Sequence, residues 1–221
     1  MTQFKIIYDR AQNRHPEVII EQILGFPLSN EEIAVLPDDR LFSLLMLRVF
    51  RAGLKHSLVD AKWPAFEQAF WQFDPLKVSL MSDEQLENHM QNEALIRHWG
   101  KIKATRINAL AIVEFAQKHG SFAKMIAEWP SNDIVNLWLL LKKQGQQLGG
   151  NTAGYFLRML GKDTFILTND VVAGLIYEGV ITKTPTAKRD LIACQNAFND
   201  WQQQSGRPYC QLSQVLALSI N

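Results

Sequence analysis

The sequence predicts an all-α protein of some dozen short and medium helices. Apolar residues recur at helical spacing along the whole of the 221 residues, and strand-like alternation is almost absent. Proline breaks and Ser- or Asp-led caps punctuate the chain at intervals that suit helices. A hydrophobic content of 47% supplies a large core for a chain this long.

Taken in order, Pro16 to Leu24 reads as a first amphipathic helix, EVIIEQIL. Ser29 to Glu32 has capping-box spacing and opens a short helix that stops before Pro37. Asp38 and Asp39 start a strongly apolar helix, RLFSLLMLRVF, which ends near Gly53 and belongs at the centre of the core. Trp63-Pro64 predicts a break, because proline is best placed in the first turn of the helix that follows, AFEQAFWQF. Asp74-Pro75 and Ser82-Asp83-Glu84 begin two more short helices, and a long one runs from about Lys101 to His119. Ser121 opens another that ends before Trp129-Pro130. A leucine-rich run, Val135 to Leu141, is followed by helices at about Thr168–Glu178, Pro185–Gln204 and from Gln211 onward. Trp63, Trp99, Trp129, Trp138 and Trp201 read most simply as packing residues, and His15, His89 and His119 as surface residues without metal-like spacing.

Composition narrows the function. Net charge is +1, so any nucleic-acid binding must come from a local face rather than a basic whole. Cys194 and Cys210 make neither a disulfide framework nor a metal pattern and read as reduced thiols. The N-terminal stretch, MTQFKIIYDR, lacks the apolar run of a signal peptide, and no segment approaches the length of a membrane span. The expectation is a soluble cytoplasmic protein.

The chain looks organised around Leu141 to Asp170, LKKQGQQLGGNTAGYFLRMLGKDTFILTND. This reads as the end of one helix, a tight turn, a second helix and a loop ending in a carboxylate. Gly145 suits a helix C-terminus, where the chain must reverse. Gly149 and Gly150 expose backbone amides for close approach, and Asn151 or Thr152 can cap the next helix. Glycines beside a helix N-terminus form an anion site, and Lys142 and Lys143 suggest a nucleic-acid phosphate. An ordinary turn between packed helices remains an equal reading of the same residues.

The blocks LFSLLMLRVFRAGLKHSLVDAKWPAFEQAFWQFDP (41–75), ALIRHWGKIKATRINA (94–109), GSF (120–122) and LLLKKQGQQLGGNTAGYFLRMLGKDTFILTNDV (139–171) carry a more specific signal. Their order and spacing resemble the DNA-3-methyladenine glycosylase I branch of the helix-hairpin-helix DNA glycosylases, from about Leu41 to Leu175. The resemblance implies one glycosylase-like unit over 1–221, with room for two packed helical lobes and the hairpin at about 141–161. It implies that hairpin amides hold DNA backbone and that Asp170 matches the superfamily's catalytic aspartate. A carboxylate there would stabilise positive charge on the sugar as the N-glycosidic bond breaks, and would orient a water. Helix capping is the everyday alternative for Asp170. No lysine lies within Asn151 to Tyr155, where bifunctional relatives carry one, so water is the expected nucleophile.

Two departures from the family matter. Arg48 stands where the family has a glutamate that accepts from the flipped base; arginine only donates, and its charge is permanent. His56 replaces a family aromatic. The implied base pocket is Arg48, Phe50, His56 and Trp63, with core packing as the alternative for Phe50 and Trp63. The family's structural zinc is not expected, since Val171 and Leu175 replace its histidine and cysteine and no N-terminal cysteine exists. No other cofactor is implied.

Extruding a base leaves a gap that an apolar side chain must fill. The resemblance places Leu54, in the turn Ala52-Gly53-Leu54, at that position, with burial as its alternative. Arg51, Lys55, Lys62, Arg97, His98, Lys101, Lys103 and Arg106 offer further backbone contacts. The expected function is a monofunctional DNA N-glycosylase of base excision repair. It would act as a monomer on double-stranded DNA with an alkylated or otherwise damaged purine, 3-methyladenine-like. The rivals are a helix-hairpin-helix DNA-binding protein with an altered or lost pocket, and a helical scaffold unrelated to DNA.

Overall fold

The computed structural model describes residues 2–220, and among them every regular element is a helix. The chain forms two compact units, Met1–Leu28 with Trp129–Trp138 and Gly161–Asn221, and Ser29–Glu128 with Leu139–Leu160.

The first unit holds α1 (Phe4–Gln12) and α2 (Glu17–Ile23). Helix α1 lies outside the helices the sequence predicts; it buries Phe4, Ile7 and Ala11 and leaves Ile6 exposed. The other unit holds α3 (Asn30–Ala34), α4 (Asp38–Arg51), α5 (His56–Ala69), α6 (Pro75–Ser79), α7 (Asp83–His89), α8 (Trp99–His119) and α9 (Phe122–Glu128). Helix α10 (Ile134–Gln144) contributes its first residues to one unit and its last to the other. Helix α11 (Thr152–Leu160) completes the second unit, and α12 (Asn169–Tyr177), α13 (Lys188–Ser205) and α14 (Tyr209–Leu218) return to the first.

In the first unit, Trp138, Phe165, Phe198 and Trp201 pack edge-on and face-on in a continuous aromatic run with centroids 4.3–5.3 Å apart. Asp163 accepts from the amides of Tyr209 and Cys210 at 3.0 and 2.9 Å, satisfying donors at the start of α14 that have no partner within the helix. A Cβ on Gly174 would meet Leu216 at 2.7 Å, so α12 and α14 approach as closely as they do because this residue lacks a side chain. Arg10 pairs with Glu178 just beyond the end of α12.

The core of the second unit is aromatic. Phe42, Phe50, Phe66, Phe70 and Phe73 are fully buried, and Trp63 lies near-parallel to Phe66 and Phe73 at 5.1 and 5.2 Å. The indole of Trp63 donates to Ser43 at 3.0 Å, and Ser43 donates to Glu67. Asp38 accepts from the amides of Phe122 and Ala123, so the first turn of α4 also caps α9. The break expected at Pro64 does not occur: α5 runs through it. Pro64 and Asp60, whose carbonyl loses its helical donor, are both exposed, and water can serve that oxygen while Val59 and Phe66 bury the inner face. His89, expected at a surface, has a buried Nε2 without a hydrogen-bond partner among the described residues and a ring 4.6 Å from Phe70.

Candidate functional site

The turn between α10 and α11 is held from below. Asn108, 1% exposed on α8, accepts from the Gln146 amide at 2.7 Å and donates to the Gln146 carbonyl at 3.1 Å. One side-chain amide thus satisfies both polar groups of a residue in the turn. In the sequence Asn108 is marked only as a polar residue within an apolar helical stretch, INALAI. Gly145 is required by packing rather than by chain reversal, since a Cβ there would lie 2.6 Å from Leu148 and 2.7 Å from Asn108. The left-handed positions are Gln147 (φ 62°) and Gly150 (φ 57°). Gly149 and Gly150 are exposed, with open space around Gly150 and only the Lys142 side chain near Gly149; Thr152 is buried as the first residue of α11, and Asn151 precedes it half-buried.

The end of α4 sits in the same unit. Gly53 takes a φ of 76° and turns the chain, Leu54 follows half-buried, and His56 opens α5 on the surface. Phe50 is wholly enclosed, 4.5 Å from Phe66, and Trp63 is tied to Ser43, so both rings are engaged in the core. Arg48 lays its guanidinium 4.4 Å from the ring centre of Tyr155 on α11, and its Nε is buried with no hydrogen-bond partner among the described residues. Burial lowers the pKa of this group, and the charge of Arg51 adds to the effect. Lys101, expected on a DNA-facing surface, is instead 6% exposed and donates to the carbonyls of Phe50 and Ala52 at 3.1 and 2.6 Å.

Other basic residues divide in two. Arg51 pairs with Asp60, Lys62 donates to the carbonyls of Glu93 and Leu95, and Arg106 holds Asp83 and the Met81 carbonyl. Lys103 lies 5.1 Å from the centre of the Trp99 ring, and His98 accepts from the Lys101 amide to cap α8. Lys55, Arg97, Lys142 and Lys143 are exposed and have no internal partner among the described residues.

In the first unit, Asp170 lies in the first turn of α12, half-buried. The capping that could have explained it belongs to Thr168, whose hydroxyl accepts from the Val171 amide at 3.2 Å. The Asp170 carboxylate itself has no hydrogen bond or ion pair among the described residues. Val171 and Leu175 are buried hydrocarbon without donor atoms and do not fit a zinc ion. Among the described residues, no helix is long and apolar enough to cross a membrane.

The family model described as methyladenine glycosylase matches residues 32–152. The DNA-3-methyladenine glycosylase 1 of Escherichia coli (strain K12) is 32% identical over 156 residues, which cover 62% of this chain and 81% of that protein. Among solved structures, the 3-methyladenine DNA glycosylase I of Staphylococcus aureus, described in terms of its recognition of 3-methyladenine, aligns with a TM-score of 0.52 and 26% identity. It covers 64% of this chain and 82% of its own. The Methanocaldococcus jannaschii 8-oxoguanine DNA glycosylase aligns over 95% of this chain and 89% of its own, with a TM-score of 0.55 and 14% identity, a likeness of fold alone.

Proposed function

This chain belongs to the methyladenine glycosylase family, and from that premise we propose that it is a monofunctional DNA N-glycosylase of base excision repair acting on a damaged purine. The observation that carries this reading is the division of labour at α12: Thr168 caps the helix, which leaves the Asp170 carboxylate available for chemistry. The α10–α11 turn acts as a helix-hairpin-helix element. Gly149, Gly150, Asn151 and Thr152 present backbone to a DNA phosphate, with Lys142 and Lys143 supplying charge. Leu54 enters the stack as the base leaves it. As the bond from C1′ to the base nitrogen breaks, its electron pair departs with the purine. Positive charge then builds on the sugar. Asp170 stabilises that charge and orients a water whose oxygen adds at C1′ as its proton passes to the carboxylate.

Arg48 reads the base edge through donors only, which favours a purine that presents acceptors. Phe50 and Trp63 belong to the aromatic core packed with Phe66, and His56 opens α5 on the surface. The partner is double-stranded DNA carrying the damaged base, bound by a cytoplasmic monomer, and no step requires a metal. The non-catalytic alternative has no observation in its favour.

The test is base release from methylated and from hypoxanthine-containing duplex DNA by the wild type and by Asp170→Asn. The expected loss is at least about a hundredfold in single-turnover rate with DNA affinity retained, the scale of removing one electrostatic stabiliser. No release of any base by the wild type removes the enzyme reading; equal release by both proteins removes Asp170 from the mechanism.

A further inference from the structure

We infer that Lys101 is a positioning residue for base extrusion: it clamps the last turn of α4 and so fixes the two features that turn carries, Arg48 and the Gly53-Leu54 wedge. The inference rests on the glycosylase reading and deepens it.

The last carbonyls of a helix have no intrahelical donor. At the end of α4 two such oxygens, those of Phe50 and Ala52, receive the same ammonium, at 3.1 and 2.6 Å. A cation at a helix C-terminus also meets the negative end of the helix dipole. Lys101 is held for this task. It stands in the first turn of the 21-residue α8, its amide donates to His98, and its carbonyl accepts from Thr105.

The arrangement is costly in isolation. Burial and the nearby charge of Arg48 both disfavour the protonated amine. Ending α4 alone does not need it, since Gly53 at a φ of 76° already supplies the chain reversal. What the ammonium adds is rigidity. The Leu54 amide makes only a 3.2 Å bond to Arg51, and a Cβ on Gly53 would touch nothing, so the turn has few other restraints. A side chain that must enter a base stack gains from being held, because a misplacement of about 1 Å can cost a hundredfold in rate.

The sequence alone suggested a phosphate contact for Lys101, and one experiment separates the two roles. Lys101→Met, Lys101→Arg, Leu54→Ala and the Lys101→Met/Leu54→Ala double variant are compared with the wild type. The reporter is 2-aminopurine placed opposite a tetrahydrofuran abasic analogue, whose fluorescence rises when a side chain enters the stack. Lys101→Met is expected to reduce the rate of this rise about tenfold, with circular dichroism and affinity for undamaged duplex unchanged. Lys101→Arg, which keeps a donor, is expected to restore most of the loss. In the rate of this rise, which reports the wedge alone, Lys101→Met is expected to add little to Leu54→Ala, as for two residues acting through one step. The assignment is overturned if Lys101→Met flattens the salt dependence of DNA affinity by about one unit, the mark of a lost phosphate contact. Full additivity with Leu54→Ala overturns it as well. A wild type that gives the fluorescence rise but releases no base refutes the glycosylase reading alone and leaves Lys101 to be judged on the rise.

Discussion

Arg48 carries a permanent charge into a corner that already holds Lys101 and Arg51, and its Nε there has no acceptor among the described residues. A cationic base 4 Å from such a charge would be repelled by about 4 kcal/mol at an effective dielectric constant near 20. A neutral purine with a carbonyl acceptor would instead gain a charge-assisted bond of about 1.5–3 kcal/mol. Replacing Arg48 by glutamate is therefore expected to raise the ratio of 3-methyladenine release to hypoxanthine release by about tenfold or more. Single-turnover kinetics on the two duplexes measures it, and an unchanged ratio would show that Arg48 does not read the base. At this scale the sequence was informative about identity and silent about engagement. That an arginine stands at position 48 is plain from the string, whereas its seat on Tyr155 depends on α4 meeting α11, more than a hundred residues along the chain. Phe50 and Trp63 show the same limit, since an aromatic residue reads alike whether its ring is enclosed or open.

Helices were the most legible elements, because capping boxes at Ser29 and Ser82 and the proline at the start of α6 are local chemistry. Pro64 misled for a physical reason: the cost of an interior proline depends on whether the released carbonyl can reach water, and exposure is a tertiary property. Gly145 misled differently. A glycine directly after a helix suggests a reversal, but its φ is not left-handed, and the glycine is there to admit Asn108 and Leu148. Gly145→Ala would force a methyl to 2.6 Å from Leu148 and 2.7 Å from Asn108. The expected cost is about 1–3 kcal/mol, the range for overpacking a closed site. Gly149→Ala has room, meeting only the Lys142 side chain at 4.0 Å. Denaturant unfolding should therefore rank Gly145→Ala well below Gly149→Ala in stability. The opposite order would mean that the Asn108–Gln146 bonds do not hold the turn in solution.

For the whole molecule, a net charge of +1 makes DNA affinity a matter of which cations remain unpaired. Basic residues look equivalent in the string, yet the fold has committed Arg51, Lys62, Lys101 and Arg106 to internal partners. Of the basic residues near α4, α8 and the α10–α11 turn, Lys55, Arg97, Lys142 and Lys143 remain exposed without an internal partner among the described residues, and on the proposed reading they neutralise phosphates. With about four phosphates neutralised, the logarithm of affinity should fall against the logarithm of salt with a slope of about −3 to −4. The Lys142→Ala/Lys143→Ala double variant should flatten that slope by about two units, because each cation releases its own counterion. Lys62→Ala should leave the slope unchanged and lower stability, since its ammonium serves the carbonyls of Glu93 and Leu95 rather than solvent. Fluorescence anisotropy on an undamaged duplex between about 50 and 200 mM salt separates these outcomes. A wild-type slope near −8 would require the paired cations to turn outward on DNA, and the division between structural and DNA-facing charges would then fail.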